Sequence, residues 1–68
     1  MSVARITTIK SSSTVSFEDA VKAGVERAHK TLKNVTGAWI RNQEVMVGPD
    51  GRISEYRVEM KVTFILID

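Results

Sequence analysis

The most regular pattern in the sequence is an alternation of apolar and polar residues near its C-terminal end. A period of two residues is typical of a β-strand with one buried face. We therefore predict a strand from Arg52 to Ile67. Its apolar face comprises Tyr56, Val58, Met60, Val62, Phe64 and Leu66, and its polar face comprises Glu55, Arg57, Glu59, Lys61 and Thr63.

A second pattern, with apolar residues at steps of three and four, predicts a helix that ends near Asn34. Ser16 is its predicted N-cap, because a serine hydroxyl accepts a hydrogen bond from a free N–H group of the first turn. Gly24 lies on the apolar stripe, where glycine costs about 1 kcal/mol relative to alanine, so we expect another backbone to pass close to it. The stripe consists of Phe17, Ala20, Val21, Val25, Ala28, Leu32 and Val35.

Two further strands complete the predicted fold. Val3–Ile9 mixes β-branched and polar residues, which favours a first strand, and Lys10–Thr14 is typical of a loop. A second strand is predicted from Ala38 to Val47, followed by a turn over Val47–Arg52 in which Gly51 takes a positive φ. The prediction is one α+β domain over residues 1–68 with the order β-α-β-β, in which a three-stranded antiparallel sheet packs on one helix.

The small size of the chain predicts self-association. A domain of 68 residues buries only about 60% of its unfolded surface. The chain has no cysteine and a single histidine, so neither disulfides nor a zinc site is expected to stabilise it. Ile65 and Ile67 also make the end of the last strand apolar on both faces, which indicates a subunit contact or, alternatively, an end tucked beneath the first strand.

Charge and hydropathy argue against two classes of partner. Ten basic and eight acidic residues give a net charge of +2, which is too weak to indicate binding to nucleic acid or to an anionic membrane. No apolar stretch approaches the roughly 20 residues that span a bilayer, and the first residues lack the apolar segment of a signal peptide. We expect a soluble cytoplasmic protein.

The sequence contains no recognisable catalytic group, so we expect no enzymatic activity. His29 lies on the polar side of the helix, Ser11–Ser13 have no activating partner nearby in sequence, and the glycines are scattered. Four carboxylates near the predicted hairpin indicate a solvated sheet face or, as the alternative, a site for a hard cation such as calcium. These are Glu44, Asp50, Glu55 and Glu59.

Trp39 is the candidate binding residue. If Ala38 and Ile40 face the helix, regular alternation places Trp39 on the opposite face of the second strand, in phase with Gly37, Arg41 and Gln43. An outward tryptophan covers a partner subunit, stacks on a planar ligand, or is simply exposed. All three interpretations remain open from the residues alone.

The sequence resembles the dodecin family over nearly its whole length. The similarity is carried by Ser16–Val21, by the helix running to Leu32–Val35, and by the ending Tyr56–Phe64. The resemblance implies a hollow homododecamer of β-α-β-β subunits that stores or sequesters flavin (FMN, FAD or riboflavin) between aromatic side chains of neighbouring subunits, without turnover. It also implies that some members bind coenzyme A or calcium.

Two positions depart from the family pattern and predict an altered flavin site. Gly37 stands where the family has its stacking tryptophan, and Arg57 stands where it has a glutamine that bonds the flavin ring. Trp39 is about 7 Å from Gly37 along the strand, so we expect it to offer a shifted stacking surface. The candidate cofactor-binding residues are Gly37, Trp39, Gln43 and Arg57. The alternative is a flavin-free shell with a structural or calcium-binding role.

Overall fold

The computed structural model describes residues 2–66, which form one helix and three strands. The elements are β1 (Val3–Ser13), α1 (Phe17–Leu32), β2 (Val35–Val47) and β3 (Ile53–Leu66). The strands form one antiparallel sheet in the order β1-β3-β2, so β3 is central. This arrangement confirms the predicted α+β fold and the element order.

The core lies between α1 and the face of β3 that its alternating apolar residues create. Val58, Met60 and Val62 are almost completely buried there, together with Ala20 and Ala28 of the helix. Four partly buried apolar residues pack against this core: Ile9, Phe17, Val21 and Val25. The rings of Phe17 and Tyr56 pack edge to face with their centroids 5.2 Å apart, which is the arrangement that aromatic quadrupoles favour.

β1 is longer than predicted, because the serines expected in a loop continue the strand. Ser11, Ser12 and Ser13 pair with Val58, Arg57 and Tyr56 of β3. Ser13 is buried, and its hydroxyl donates a hydrogen bond to Asp19 Oδ2 at 2.7 Å and accepts one from the backbone N–H of Val15 at 2.9 Å. The prediction of a loop over Lys10–Thr14 was therefore wrong: the strand continues to Ser13, whose hydroxyl joins its end to the start of the helix.

The helix begins as predicted and ends earlier. Ser16 Oγ accepts a hydrogen bond from the backbone N–H of Asp19 at 3.0 Å, which confirms it as the N-cap. The helix ends at Leu32, and the next two residues, Lys33 and Asn34, have positive φ angles of 56° and 51°. These two residues reverse the chain so sharply that β2 starts at Val35, three positions before the predicted Ala38.

Gly24 leaves room for a close approach of the sheet to the helix. A methyl group added at Gly24 would lie 2.5 Å from Met60 Cε and 3.0 Å from Ser11 Cβ. The expected close approach is present, and the nearest atoms belong to side chains of β3 and β1. The helix packs this tightly on β1 and β3 because Gly24 has no side chain.

The hairpin between β2 and β3 closes as the turn residues predict. The backbone N–H of Gly48 donates to Arg52 O at 2.8 Å, and that of Gly51 donates to Gly48 O at 3.0 Å. Gly51 has a φ of 82°, a conformation that glycine adopts without a steric cost. The predicted positive φ at Gly51 is confirmed.

A β-bulge at Arg41 changes which residues of β2 share a face. Ile40 pairs with Met60 and Asn42 pairs with Glu59, so Arg41 is an extra residue without a partner in β3. Before the bulge, Trp39 pairs with Lys61, on the face opposite the helix. After it, Gln43 pairs with the buried Val58 and so belongs to the helix side. The predicted common phase of Trp39 and Gln43 was therefore wrong.

The molecule is too elongated to bury its apolar residues by itself. Its principal extents are 52, 19 and 13 Å, and its radius of gyration is 14.0 Å, against about 11 Å for a compact domain of this length. The helix packs mainly on β1 and β3 and leaves most of the helix side of β2 uncovered. The exposed large apolar residues are Val3, Ile6, Val15, Trp39, Ile40, Val45, Val47, Ile53 and Leu66.

Two sequence expectations concern the chain end and the membrane. Ile65 is half-buried, whereas Ile67 lies outside the described residues. Within residues 2–66 no helix has both the length and the apolar character needed to cross a bilayer.

Candidate functional site

The candidate site lies on the sheet face opposite the helix, which we call the open face. Cross-strand partners lie on the same face of a sheet. We call each set of residues that pair across β2, β3 and β1 a row. One row is Gly37, Thr63 and Ile6, and the next is Trp39, Lys61 and Thr8. The two rows that follow are Asn42, Glu59 and Lys10, and then Glu44, Arg57 and Ser12.

Trp39 presents an accessible aromatic surface on the open face. Its side chain is 48% exposed, and Ala38 and Ile40 pair with buried residues on the helix side, as the sequence predicts. Gly37, in the neighbouring row, has nothing within 4 Å of the place where a Cβ would lie. A planar molecule therefore has free space beside the indole ring of Trp39 in the direction of Gly37.

The row after Trp39 holds a carboxylate surrounded by basic residues. Asn42 Nδ2 donates a hydrogen bond to Glu59 Oε1 at 3.0 Å. This hydrogen bond is the main cause that lowers the pKa of Glu59 below its ordinary value of 4.5, and the positive charges of Arg41, Lys10 and Lys61 lower the pKa further. Glu59 is therefore ionised at neutral pH and lies within the fields of three cations.

Arg57 is held away from Trp39. Its Nε donates to Glu55 Oε1 at 2.8 Å, and Glu55 lies further along β3 toward the hairpin turn. This hydrogen bond raises the pKa of Arg57 and lowers the pKa of Glu55. Arg57 is four residues from Lys61, the partner of Trp39, or about 13 Å along an extended strand.

A cleft of about 320 Å³ connects the last two rows. Basic, acidic and amide side chains line it, so it favours polar ligand groups over apolar ones. Its lining residues are Lys10, Asn42, Gln43, Glu44, Arg57, Val58 and Glu59.

The structure thus separates the four residues that the sequence grouped together. Gly37 and Trp39 are neighbours on the open face, Arg57 lies on the same face two rows away, and Gln43 belongs to the helix side. Sequence reasoning missed Lys10, Asn42 and Lys61 as neighbours of Trp39. The alternation of β3 already placed Lys61 on this face, but the bulge and the strand register were needed to bring it opposite Trp39.

The four carboxylates considered for calcium do not meet within one chain. Glu55 bonds Arg57, Glu59 bonds Asn42, and Asp50 Oδ1 accepts the backbone N–H of Arg52 at 3.0 Å. In residues 2–66 no three side chains of the types His, Cys, Asp and Glu come together as a metal site would require. His29 is exposed on the helix, as the sequence predicts.

Comparison with known proteins identifies the family. The family model described as Dodecin matches residues 3–66. A dodecin from Streptomyces davaonensis is 30% identical, with a TM-score of 0.93 over 98% of this chain and 97% of that one. A mutant of the Thermus thermophilus dodecin is 26% identical, with a TM-score of 0.92 over 100% of both chains.

A third similar structure is described as a calcium-chelating immunodominant antigen, a calcium dodecin from Mycobacterium tuberculosis. It is 28% identical, with a TM-score of 0.83 over 96% of this chain and 91% of that one. No curated protein matches the chain significantly. Because the family model covers nearly all of the sequence and the topology agrees throughout, the chain belongs to the dodecin family.

Proposed function

We propose that the chain is the subunit of a non-enzymatic homododecamer that stores or sequesters a planar small molecule of the flavin class. The observation that carries the proposal is the half-exposed indole of Trp39 on the open face, in the row next to Gly37, where an added Cβ would meet nothing within 4 Å. Burying the face of an aromatic ring against a planar ligand is favourable, and an indole is the largest such surface that a protein offers. Trp39 takes the stacking role in a shifted pocket, because Gly37 has no side chain to stack.

Exposed apolar surface supports the oligomeric part of the proposal. Ile40 and Val45 are on the helix side of β2, most of which α1 leaves uncovered, and they are 39% and 37% exposed. Val47 and Ile53 add apolar residues at the hairpin end, with 60% and 50% exposure. A concentration of exposed apolar residues on a small domain marks an interface, and copies of the same chain are the partner that the family implies.

A titration with riboflavin and FMN tests the proposal. Flavin emission is quenched when the isoalloxazine ring stacks on an indole, so we expect strong quenching at micromolar protein. Replacing Trp39 with alanine should weaken binding at least about tenfold, whereas Trp39→Phe, which keeps an aromatic face, should retain most of the affinity. Native mass spectra of both variants control for assembly. Unquenched emission with the parent protein, or equal affinity in an assembled Trp39→Ala variant, contradicts the proposal.

A cation-binding role is the second candidate, and the similarity to the calcium dodecin supports it. Because the carboxylates of one chain do not converge in residues 2–66, such a site would combine side chains from neighbouring copies. Protein treated with a chelator would then gain thermal stability on addition of calcium, and a melting temperature that calcium leaves unchanged excludes this role.

A further inference from the structure

The basic residues beside Trp39 are the feature that the proposed stacking role does not use. Lys61 is the direct cross-strand partner of Trp39, and Lys10 is the partner of Glu59 in the next row. Directly opposed side chains have Cβ atoms about 5 Å apart, and diagonal neighbours about 7 Å. Lys10 and Lys61 are diagonal neighbours across β1 and β3, so their long side chains reach a common point on the open face.

The charge at this point is positive. Glu59 is the one carboxylate in the rows of Trp39 and Asn42. Its pKa is lowered by the positive charges of Arg41, Lys10 and Lys61. Neither Lys10 nor Lys61 forms an ion pair within residues 2–66. Three cations against one anion leave a positive excess around Glu59, one row from Trp39.

Arg57 does not add to this excess. Its guanidinium is engaged by Glu55 at 2.8 Å and lies opposite Glu44, so two carboxylates accompany this one cation. The open face is therefore polarised along β3. Its positive part is next to Trp39, and its negative part is toward the hairpin turn.

We infer that the ligand stacked on Trp39 carries a phosphate or an equally anionic group, which Lys61 and Lys10 bind with help from Arg41. This inference rests on the proposed function and narrows its ligand class to phosphorylated planar heterocycles. Lysine binds phosphate as a mobile point charge, which suits an anionic group on a short flexible tether. The cleft that begins at Lys10, Asn42 and Glu59 has room for that group.

Parallel titrations with riboflavin and FMN test the inference, because the two molecules share the ring system and differ by one phosphate. We expect FMN to bind about tenfold more tightly at low salt. The difference should shrink to less than about threefold near 1 M salt, where the Debye length is about 3 Å. Lys61→Gln and Lys10→Gln should each weaken FMN binding about threefold or more and leave riboflavin binding unchanged.

Two further variants sharpen the test. Lys61→Arg keeps the positive charge and should retain the preference for FMN. Lys22→Gln removes a lysine of the helix whose side chain is 71% exposed and pairs with Glu18 at 4.0 Å, so it should change neither affinity.

The outcomes separate this inference from the function on which it depends. Equal affinities for riboflavin and FMN, or a loss of both affinities in Lys61→Gln, overturn the phosphate preference while the flavin-binding role stands. Failure of both flavins to bind the parent protein overturns the proposed function and the preference together.

Discussion

Gly24 shows how one position couples the helix to the sheet. The sequence indicates that something must approach the apolar stripe closely at this residue, because glycine is costly inside a helix. It does not show what approaches. The structure identifies Met60 Cε and Ser11 Cβ, two side chains that are distant in sequence and meet only through the order β1-β3-β2.

Gly24→Ala is expected to destabilise the protein in spite of the better helix propensity of alanine. The gain of about 1 kcal/mol in propensity is outweighed by overpacking against the fully buried Met60, which costs about 1–3 kcal/mol. We expect the free energy of unfolding to fall by about 1 kcal/mol in urea titrations at matched protein concentration. Gly37→Ala is the matched control, because a Cβ there meets nothing within 4 Å, and it should stay within about 0.5 kcal/mol of the parent. A stabilised Gly24→Ala variant would contradict the packing described.

Trp39 and Gln43 show when the sheet face of a single residue can be predicted from the sequence. Alternation correctly predicts the face of Trp39, because Ala38 and Ile40 on either side of it pair with buried residues. It fails for Gln43, because a bulge between the two inserts one residue and reverses the phase. No residue around Arg41 is a glycine or proline, so the usual sequence signals of an irregular strand are missing there.

At the scale of the elements, β3 and α1 were predicted well and β1 and β2 less well. The central strand and the helix each bury a continuous apolar stripe, and this leaves a periodic signal in the sequence. β1 and β2 are edge strands with one partner each, and most of their residues are exposed. Their lengths depend on pairing with β3, which the composition of Ser11–Ser13 does not reveal.

The bulge in β2 provides a test at this scale. Deleting Arg41 removes the extra residue and restores strict alternation between Gly37 and Met46, so the residues on one side of the deletion must turn to the opposite face. We expect a loss of at least about 2 kcal/mol in the free energy of unfolding, measured by circular dichroism during urea unfolding. Arg41→Ala keeps the chain length and the bulge, and it should cost less than about 1 kcal/mol. A deletion variant as stable as Arg41→Ala would show that the register after the bulge does not depend on the extra residue.

At the scale of the whole molecule, the distribution of apolar residues supports the proposed assembly of copies. Within residues 2–66, five apolar residues are buried in the core, whereas nine large apolar residues are exposed over a body 52 Å long. The short length and missing disulfides predict this imbalance, but they do not show where the uncovered surface lies. The structure places part of it on the helix side of β2, on which α1 packs less than on β1 and β3.

The proposed assembly would also affect the candidate site. Trp39 lies on β2, an edge strand, so a neighbouring copy that covered the apolar side of β2 would come close to the open face as well. A pocket shared between subunits would then depend on the same contacts that bury Ile40 and Val45.

Native mass spectrometry of the purified protein tests the central claim, namely that copies of the chain cover this apolar surface by assembling. We expect one dominant species at twelve times 7.6 kDa, or about 91 kDa, at micromolar concentration, with any retained ligand adding its own mass. A persistent species of 7.6 kDa under the same conditions would contradict the account.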